Sequence, residues 1–224
     1  MRGLSCFIIS ILVFCSVTVS SALNFRKISV QHGLSQISAT TIVQDELNRI
    51  WIGTRDGLNV YDGERILTYR PEKGNKRSLL GAHIMTMVSH KHHIWVSTHE
   101  GVSCLGLYTN SFEQYPIRGV NGVFLLKDTI YASTTNGLMR FDDSLAQFVP
   151  DSYFFKPAIT VTALGYSQSN QTVWVGTHEG LYAVANQGEA RKVLSVNVST
   201  LLIDSKQQVW VGTYNQGLFH LDGA

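Results

Sequence analysis

Cysteine, proline and charge are all scarce in this chain of 224 residues, and each shortage removes options. Charged side chains make up 15%, and 18 basic against 16 acidic residues leave a net +2. So weak and balanced a charge gives nucleic acid or an anionic membrane surface little to bind. It also falls short of the charged composition of a coiled coil. Four prolines exclude a proline-rich linker, and 19 glycines suit many tight turns. A hydrophobic content of 44% excludes disorder. The chain has only one long apolar run, from Cys6 to Val19. That run is shorter than the ~20 residues a membrane-spanning helix needs.

The run belongs to an address. Met1-Arg2-Gly3 is a short positive start, and Ser20-Ser21-Ala22 places small residues at an A-x-A-like cleavage site. Residues 1–22 read as a secretory signal peptide rather than an anchor, so the mature chain is expected to be exported, with no membrane span. Cys15 follows the bulky Phe14, which argues against lipidation. Cleavage after Ala22 leaves 17 basic and 16 acidic residues, and Cys104 as the only thiol. One thiol closes no internal disulfide, so an apolar core must hold the domain. Cys104 sits in an apolar stretch and reads as a small buried hydrophobe.

The remainder repeats one phrase five times. It reads Ile50-Trp51-Ile52-Gly53-Thr54-Arg55-Asp56-Gly57-Leu58, then Ile94-Trp95-Val96-Ser97-Thr98-His99-Glu100-Gly101-Val102, then Ile130-Tyr131-Ala132-Ser133-Thr134-Thr135-Asn136-Gly137-Leu138. It returns as Val173-Trp174-Val175-Gly176-Thr177-His178-Glu179-Gly180-Leu181 and as Val209-Trp210-Val211-Gly212-Thr213-Tyr214-Asn215-Gln216-Gly217-Leu218. The aromatic anchors are 44, 36, 43 and 36 residues apart. A period near ~40 with strand-like content is that of a β-propeller blade. No segment carries apolar residues at helical spacing over three turns.

β-branched residues around an aromatic make a strong strand, and apolar character on both faces calls for cover on both sides. Gly53, Ser97, Ser133, Gly176 and Gly212 share one slot, where a tiny residue lets the next blade approach. A short turn ending in glycine follows, and Asp-Gly and Asn-Gly are strong hairpin signals. Asp62, Asp142 and Asp222 close the third strand. An inner strand precedes each phrase (Thr40–Gln44, His83–Val88, Val123–Leu126, Val161–Tyr166 and Ser199–Ile203). An outer strand follows the first four (Ile66–Tyr69, Phe112–Tyr115, Ala146–Val149 and Ala190–Leu194). This predicts an all-β fold of four-stranded antiparallel blades over residues 37–70, 80–116, 120–150, 158–195 and 197–224. Five blades make an open arc of a larger, seven-blade propeller. The alternative is a closed five-blade ring in which a strand at Arg26–Val30 supplies the outer strand that the fifth repeat lacks.

The opening Phe25-Arg26-Lys27-Ile28-Ser29-Val30-Gln31-His32-Gly33-Leu34-Ser35, then Val43-Gln44-Asp45, then Ile50 to Asp62, resembles the two-component regulator propeller repeat. The resemblance covers residues 23–224. It weakens in repeats two and three, where Ser97 and Ser133 replace glycine and Tyr131 replaces tryptophan. It implies the periplasmic sensor region of a Bacteroidetes hybrid histidine kinase that responds to oligosaccharides and forms a homodimer in intact members. The kinase and DNA-binding parts are absent from this sequence, so the resemblance implies an N-terminal fragment and no enzyme activity.

The turns between second and third strands offer Arg55-Asp56, His99-Glu100, Thr135-Asn136, His178-Glu179 and Tyr214-Asn215. On one propeller face these polar and aromatic groups form a candidate ring for sugar hydroxyls, with Tyr214 as a stacking platform. The competing reading is solvated hairpin residues. His90-Lys91-His92-His93 reads as a hairpin turn rather than a metal site, since no cysteine or carboxylate supports it nearby in sequence. Arg70, Lys73, Lys76 and Arg77 lack the order of a P-loop and read as a solvated loop. Gly101-Val102-Ser103-Cys104-Leu105-Gly106 is not a nucleophile elbow. No catalytic constellation and no cofactor motif stands out. The rivals are a small secreted propeller enzyme, a lyase or hydrolase, and a protein-interaction propeller.

Overall fold

The computed structural model describes residues 25, 27–151, 159–185 and 189–221. The expected signal peptide over residues 1–22, and Asp222, lie outside the described residues. Among the described residues, nineteen strands form five antiparallel sheets in chain order. Blade one is β1 (Ala39–Gln44), β2 (Ile50–Thr54), β3 (Gly57–Tyr61) and β4 (Ile66–Tyr69). Blade two is β5 (Met87–His90), β6 (His93–Thr98), β7 (Gly101–Gly106) and β8 (Ser111–Pro116). Blade three is β9 (Val120–Leu126), β10 (Thr129–Thr134), β11 (Gly137–Asp142) and β12 (Gln147–Pro150). Blade four is β13 (Val161–Ser167), β14 (Thr172–Thr177), β15 (Leu181–Ala185) and β16 (Arg191–Leu194). Blade five has three described strands, β17 (Val198–Ile203), β18 (Val209–Thr213) and β19 (Leu218–Leu221).

Period-two alternation assigns each side chain of the phrase to a face. Trp51 packs with Ile84, Ile94 and Val96 of blade two. Trp95 packs with Val120, Val123 and Ile130 of blade three, Tyr131 with Val161 and Val175 of blade four, and Trp174 with Val198 and Val211 of blade five. Every one of these anchors thus fills the seam with the blade that follows it. The slot two residues later does what its small size predicted. A Cβ on Gly53 would sit 2.6 Å from Ile84 of blade two, and one on Gly176 2.6 Å from Val198 of blade five.

Hydroxyls stitch the same seams. Thr40 donates to the Ile84 carbonyl, and Thr162 to the Val198 carbonyl, each at 2.8 Å. Blades two and three carry serine in the slot and solve the problem differently. The Ser97 hydroxyl joins Thr86, whose own hydroxyl donates to the Val123 carbonyl and accepts from the Val123 N–H. Ser133 makes the same pair of bonds directly, to the carbonyl and N–H of Val161. Serine is therefore a working replacement for glycine here, because its single oxygen lands on a backbone that would otherwise be buried unpaired.

Four hydrophobic clusters fill the four seams between consecutive blades, and none joins blade five to blade one among the described residues. The outward faces of the two terminal blades stay open. Ile42 on blade one is 61% exposed, and Leu202 and Leu218 on blade five are 61% and 66% exposed. Trp210 looks out from the same open side and stacks on His220 instead of on a following blade. The blades form an arc. The strand expected at Arg26–Val30 is not there: residues 27–29 are unpaired, Val30–His32 is a short 3-10 turn, and Arg26 lies outside the described residues. The chain reverses at Gly33, whose φ of +101° favours glycine, and then docks on blade one. There the buried Asn59 accepts from the Ser35 N–H at 2.9 Å.

Candidate functional site

The turns between second and third strands gather on the face that also carries the blade-to-blade loops. In each turn the repeated threonine folds back on the glycine. The Thr54 hydroxyl donates to the Gly57 carbonyl at 3.0 Å, and Thr98, Thr134, Thr177 and Thr213 make the equivalent bond. This is the task of the threonine in the phrase, which reading the turn from its glycine alone missed. Gly57 has φ +128°, and a Cβ there would lie 2.6 Å from the Tyr69 carbonyl, so both backbone and space demand glycine.

Blade-to-blade loops bind these turns. The Gly57 N–H donates to the Ala82 carbonyl at 2.9 Å, and the Tyr214 N–H to the Asn197 carbonyl at 3.1 Å. The predicted site residues accordingly fall into two groups. At the seam of blades one and two, His99 meets His83 edge to face at 5.0 Å. Burial first, then the charges of His99 and Arg55, hold the His83 imidazole below its ordinary pKa, against a smaller opposing pull from Glu100. Asp56 turns away and pairs with Arg70 at 2.9 Å. At the seam of blades four and five, His178 shares a hydrogen bond of 3.0 Å with the Asn197 side chain, and its ring lies 6.0 Å from Tyr214. Tyr214 is 66% exposed, so one broad aromatic face is open beside an imidazole. Asn215 belongs to the same turn. Glu179 contributes its carbonyl, which accepts from Lys192. The eight residues thus share one face as two separated groups rather than one ring of contacts.

The other candidates resolve structurally. Lys91 and His92 form a tight hairpin turn with φ of +45° and +64°. His90 and Lys91 reach Asp128 of blade three, and His92 reaches Glu46 of blade one, so this turn clamps three blades. The basic loop is solvated only in part: Leu79 is 1% exposed, and the Ser78 carbonyl accepts from Gln114 at 2.8 Å. On the face opposite the glycine turns, Trp95, Glu113, Tyr115 and Phe141 line a pocket that no motif announced. Its sequence signal is a missing residue. Trp51 and Trp210 each have an aspartate six positions earlier, Asp45 and Asp204, that accepts from the indole N–H. Trp95 has none.

Blades of four antiparallel strands, packed face to face with hairpin turns gathered on one side, define the class: a β-propeller scaffold whose variable chemistry sits on loops. The two-component regulator propeller model matches residues 33–56 and 192–215. A histidine kinase, P4, of Formosa agariphila is 33% identical over 82 residues, covering 35% of this chain and 6% of its own length. The extracellular domain of the hybrid two-component system BT3049 from B. thetaiotaomicron superposes with a TM-score of 0.74 at 20% identity, over 88% of this chain and 30% of that one. A catalytically inactive virginiamycin B lyase from Staphylococcus aureus, solved with quinupristin, superposes with a TM-score of 0.60 at 11% identity, over 82% of this chain and 69% of that one. The two solved structures show the fold. The chain spans a small part of the kinase and under a third of the extracellular domain.

Proposed function

We propose that this chain is the exported, periplasmic sensor region of a two-component regulator, that it responds to an oligosaccharide, and that it makes or breaks no bonds itself. The observation that carries the reading is the exposed Tyr214 beside His178 and Asn197, on a face built from the regulator repeat itself. An open aromatic flanked by hydrogen-bonding groups is what a sugar ring requires. Export is supported by the composition of residues 1–22, and no helix among the described residues is long and apolar enough to cross a membrane. Signalling would then depend on a packing change passed to further domains and on pairing with a second copy.

The enzyme reading has one specific observation in its favour, the His83–His99 contact beside Arg55 and Glu100. One experiment separates the two. Oligosaccharides from several glycans are titrated calorimetrically into the chain, and the same mixtures are analysed by mass spectrometry. Binding that Tyr214→Ala weakens at least tenfold, with the sugars recovered intact, supports the sensor. New cleavage products that His99→Ala abolishes overturn it.

A further inference from the structure

A pocket of about 200 Å³ opens between blades two and three, on the face opposite the glycine turns. Trp95, Cys104 and Glu113 are cross-strand neighbours in a single row over β6, β7 and β8, and they form its blade-two wall with Tyr115. Phe141 and Asp143 come from blade three, and His93 stands at the rim. The base is aromatic: Trp95 stacks on Tyr115 at 5.8 Å and meets Phe141 at 4.7 Å.

Three polar groups here are unspent. Trp95 is 6% exposed overall, its indole N–H bonds no described residue and, unlike the buried N–H of Trp174, it stays open to the pocket as a donor. The equivalent N–H groups of Trp51 and Trp210 are clasped by Asp45 at 2.7 Å and Asp204 at 3.1 Å. Blade two closes the corresponding hairpin in two residues and so has no place for that carboxylate. Glu113 accepts from the Tyr115 hydroxyl through one oxygen at 2.7 Å, which leaves the other oxygen to accept from elsewhere. His93 is tied through Nδ1 to the Lys91 carbonyl at 2.6 Å, so its neutral ring presents Nε2 as an acceptor. A pocket lined by polar groups that have no protein partner is a place where a ligand supplies one.

The lining also selects the ligand. Asp128 at the rim is already neutralised by Lys91 and His90. Glu113 and Asp143 repel sulfated or phosphorylated groups. An ammonium ion finds no open tryptophan face, because Tyr115 and Phe141 occupy Trp95, and the indole N–H is itself a donor. The volume lies below the ~300 Å³ at which drug-sized sites begin, so it admits one ring and not a chain. What fits is a neutral ring with an apolar face and hydroxyls that both accept and donate. We propose that this inter-blade pocket binds a single uncharged sugar ring, packed against Tyr115 and Phe141, with hydroxyls accepting from the Trp95 indole N–H and donating to Glu113.

This site is separate from the turn face and does not rest on the reading of Tyr214. The test uses proton–nitrogen spectra of the full chain, in which the tryptophan indole signals are resolved and Trp95→Phe identifies the Trp95 signal. Glucose, galactose, mannose and N-acetylglucosamine are titrated in turn, with choline and sulfate as charged probes. At least one sugar should move the Trp95 indole signal saturably while the Trp51 and Trp174 signals stay. Glu113→Gln, at an exposed strand position that leaves the fold intact, should weaken that sugar about tenfold, and Tyr214→Ala should leave it unchanged. The proposal falls if no sugar moves the Trp95 signal, if choline or sulfate moves it as far, or if Glu113→Gln binds as well as the parent. It falls too if Tyr214→Ala abolishes the response, which would place the sugar on the turn face. Loss of oligosaccharide binding at Tyr214 with the Trp95 response intact would overturn only the turn-face reading.

Discussion

Replacing Gly176 by alanine adds one methyl group at the closest approach between blades four and five. The new carbon would lie 2.6 Å from Val198 Cγ1, 3.2 Å from Val198 Cβ and 3.3 Å from Ala163 Cβ. Carbon atoms rest about 3.5–4.0 Å apart, so blade five must retreat by about 1 Å at Val198, a residue with no exposed surface. Overpacking of this kind costs about 1–3 kcal/mol. Val198→Ala removes the obstructing methyl, and alone it costs about 2 kcal/mol in lost burial and cavity. If the clash is the cause, the double variant is hardly worse than Val198→Ala. The coupling between the two sites then approaches the whole cost of the glycine change, far above the ~0.5 kcal/mol tolerance for independent sites. Urea unfolding followed by tryptophan fluorescence reads this out, comparing midpoints at constant slope. A double variant as unstable as the sum of the singles refutes the close approach, and with it the account of why this slot takes only glycine or serine.

Two further outcomes follow from buried ionisable groups. Asp45→Ala strands the Trp51 indole, the Arg49 guanidinium and two backbone N–H groups and should cost about 3 kcal/mol, whereas Asp204→Ala at the solvated open end should cost clearly less. Burial works against ionisation of Asp45, but the bonds from Trp51 and Arg49 outweigh it and hold the carboxyl below its ordinary pKa. Its contribution is thus complete above the ordinary carboxylate pKa, about 3.9, and fades as pH falls through the lower folded value. Thermal melts of Asp45→Ala should lose that acid-side slope, and an unchanged slope would contradict the assignment. Burial, then Asp151, push Tyr131 up to about 12. Its stabilisation holds below the ordinary tyrosine pKa, near 10, and is lost as pH rises through 12. Tyrosinate absorbance should therefore show a late class that Tyr131→Phe makes smaller by one, and ionisation of all nine tyrosines near pH 10 would exclude this.

The strands were legible because the phrase makes both local demands at once: period-two apolar residues, and a turn whose glycine has nowhere for a Cβ. Their ends were less so. The inner strand of blade two was expected over His83–Val88 and pairs as β5 over Met87–His90, although Met85 and Thr86 still bond to the backbone of Ser97. Val30 and its neighbours have strand propensity, but the turn at Gly33 and the docking of Ser35 on Asn59 decide their conformation. The candidate ring was legible as a face and not as contacts. Whether Asp56 points at a ligand or at Arg70 depends on a residue 14 positions away, and turn chemistry does not encode that.

The departures from the repeat carry more information than the copies. Both segments that match the regulator model end at a glycine-turn residue, and both contain an intact aspartate–tryptophan clasp, Asp45–Trp51 and Asp204–Trp210. Blade two, like blade four, keeps the tryptophan and discards the clasp. It spends the shortened hairpin on charges that bridge to blades one and three. What sets blade two apart is that its free indole N–H opens on a pocket, beside a carboxylate with a free oxygen and an aromatic wall, whereas the unpartnered N–H of Trp174 is buried. The seam of blades two and three is therefore where we propose recognition, and the Trp95 indole is the atom whose behaviour decides it.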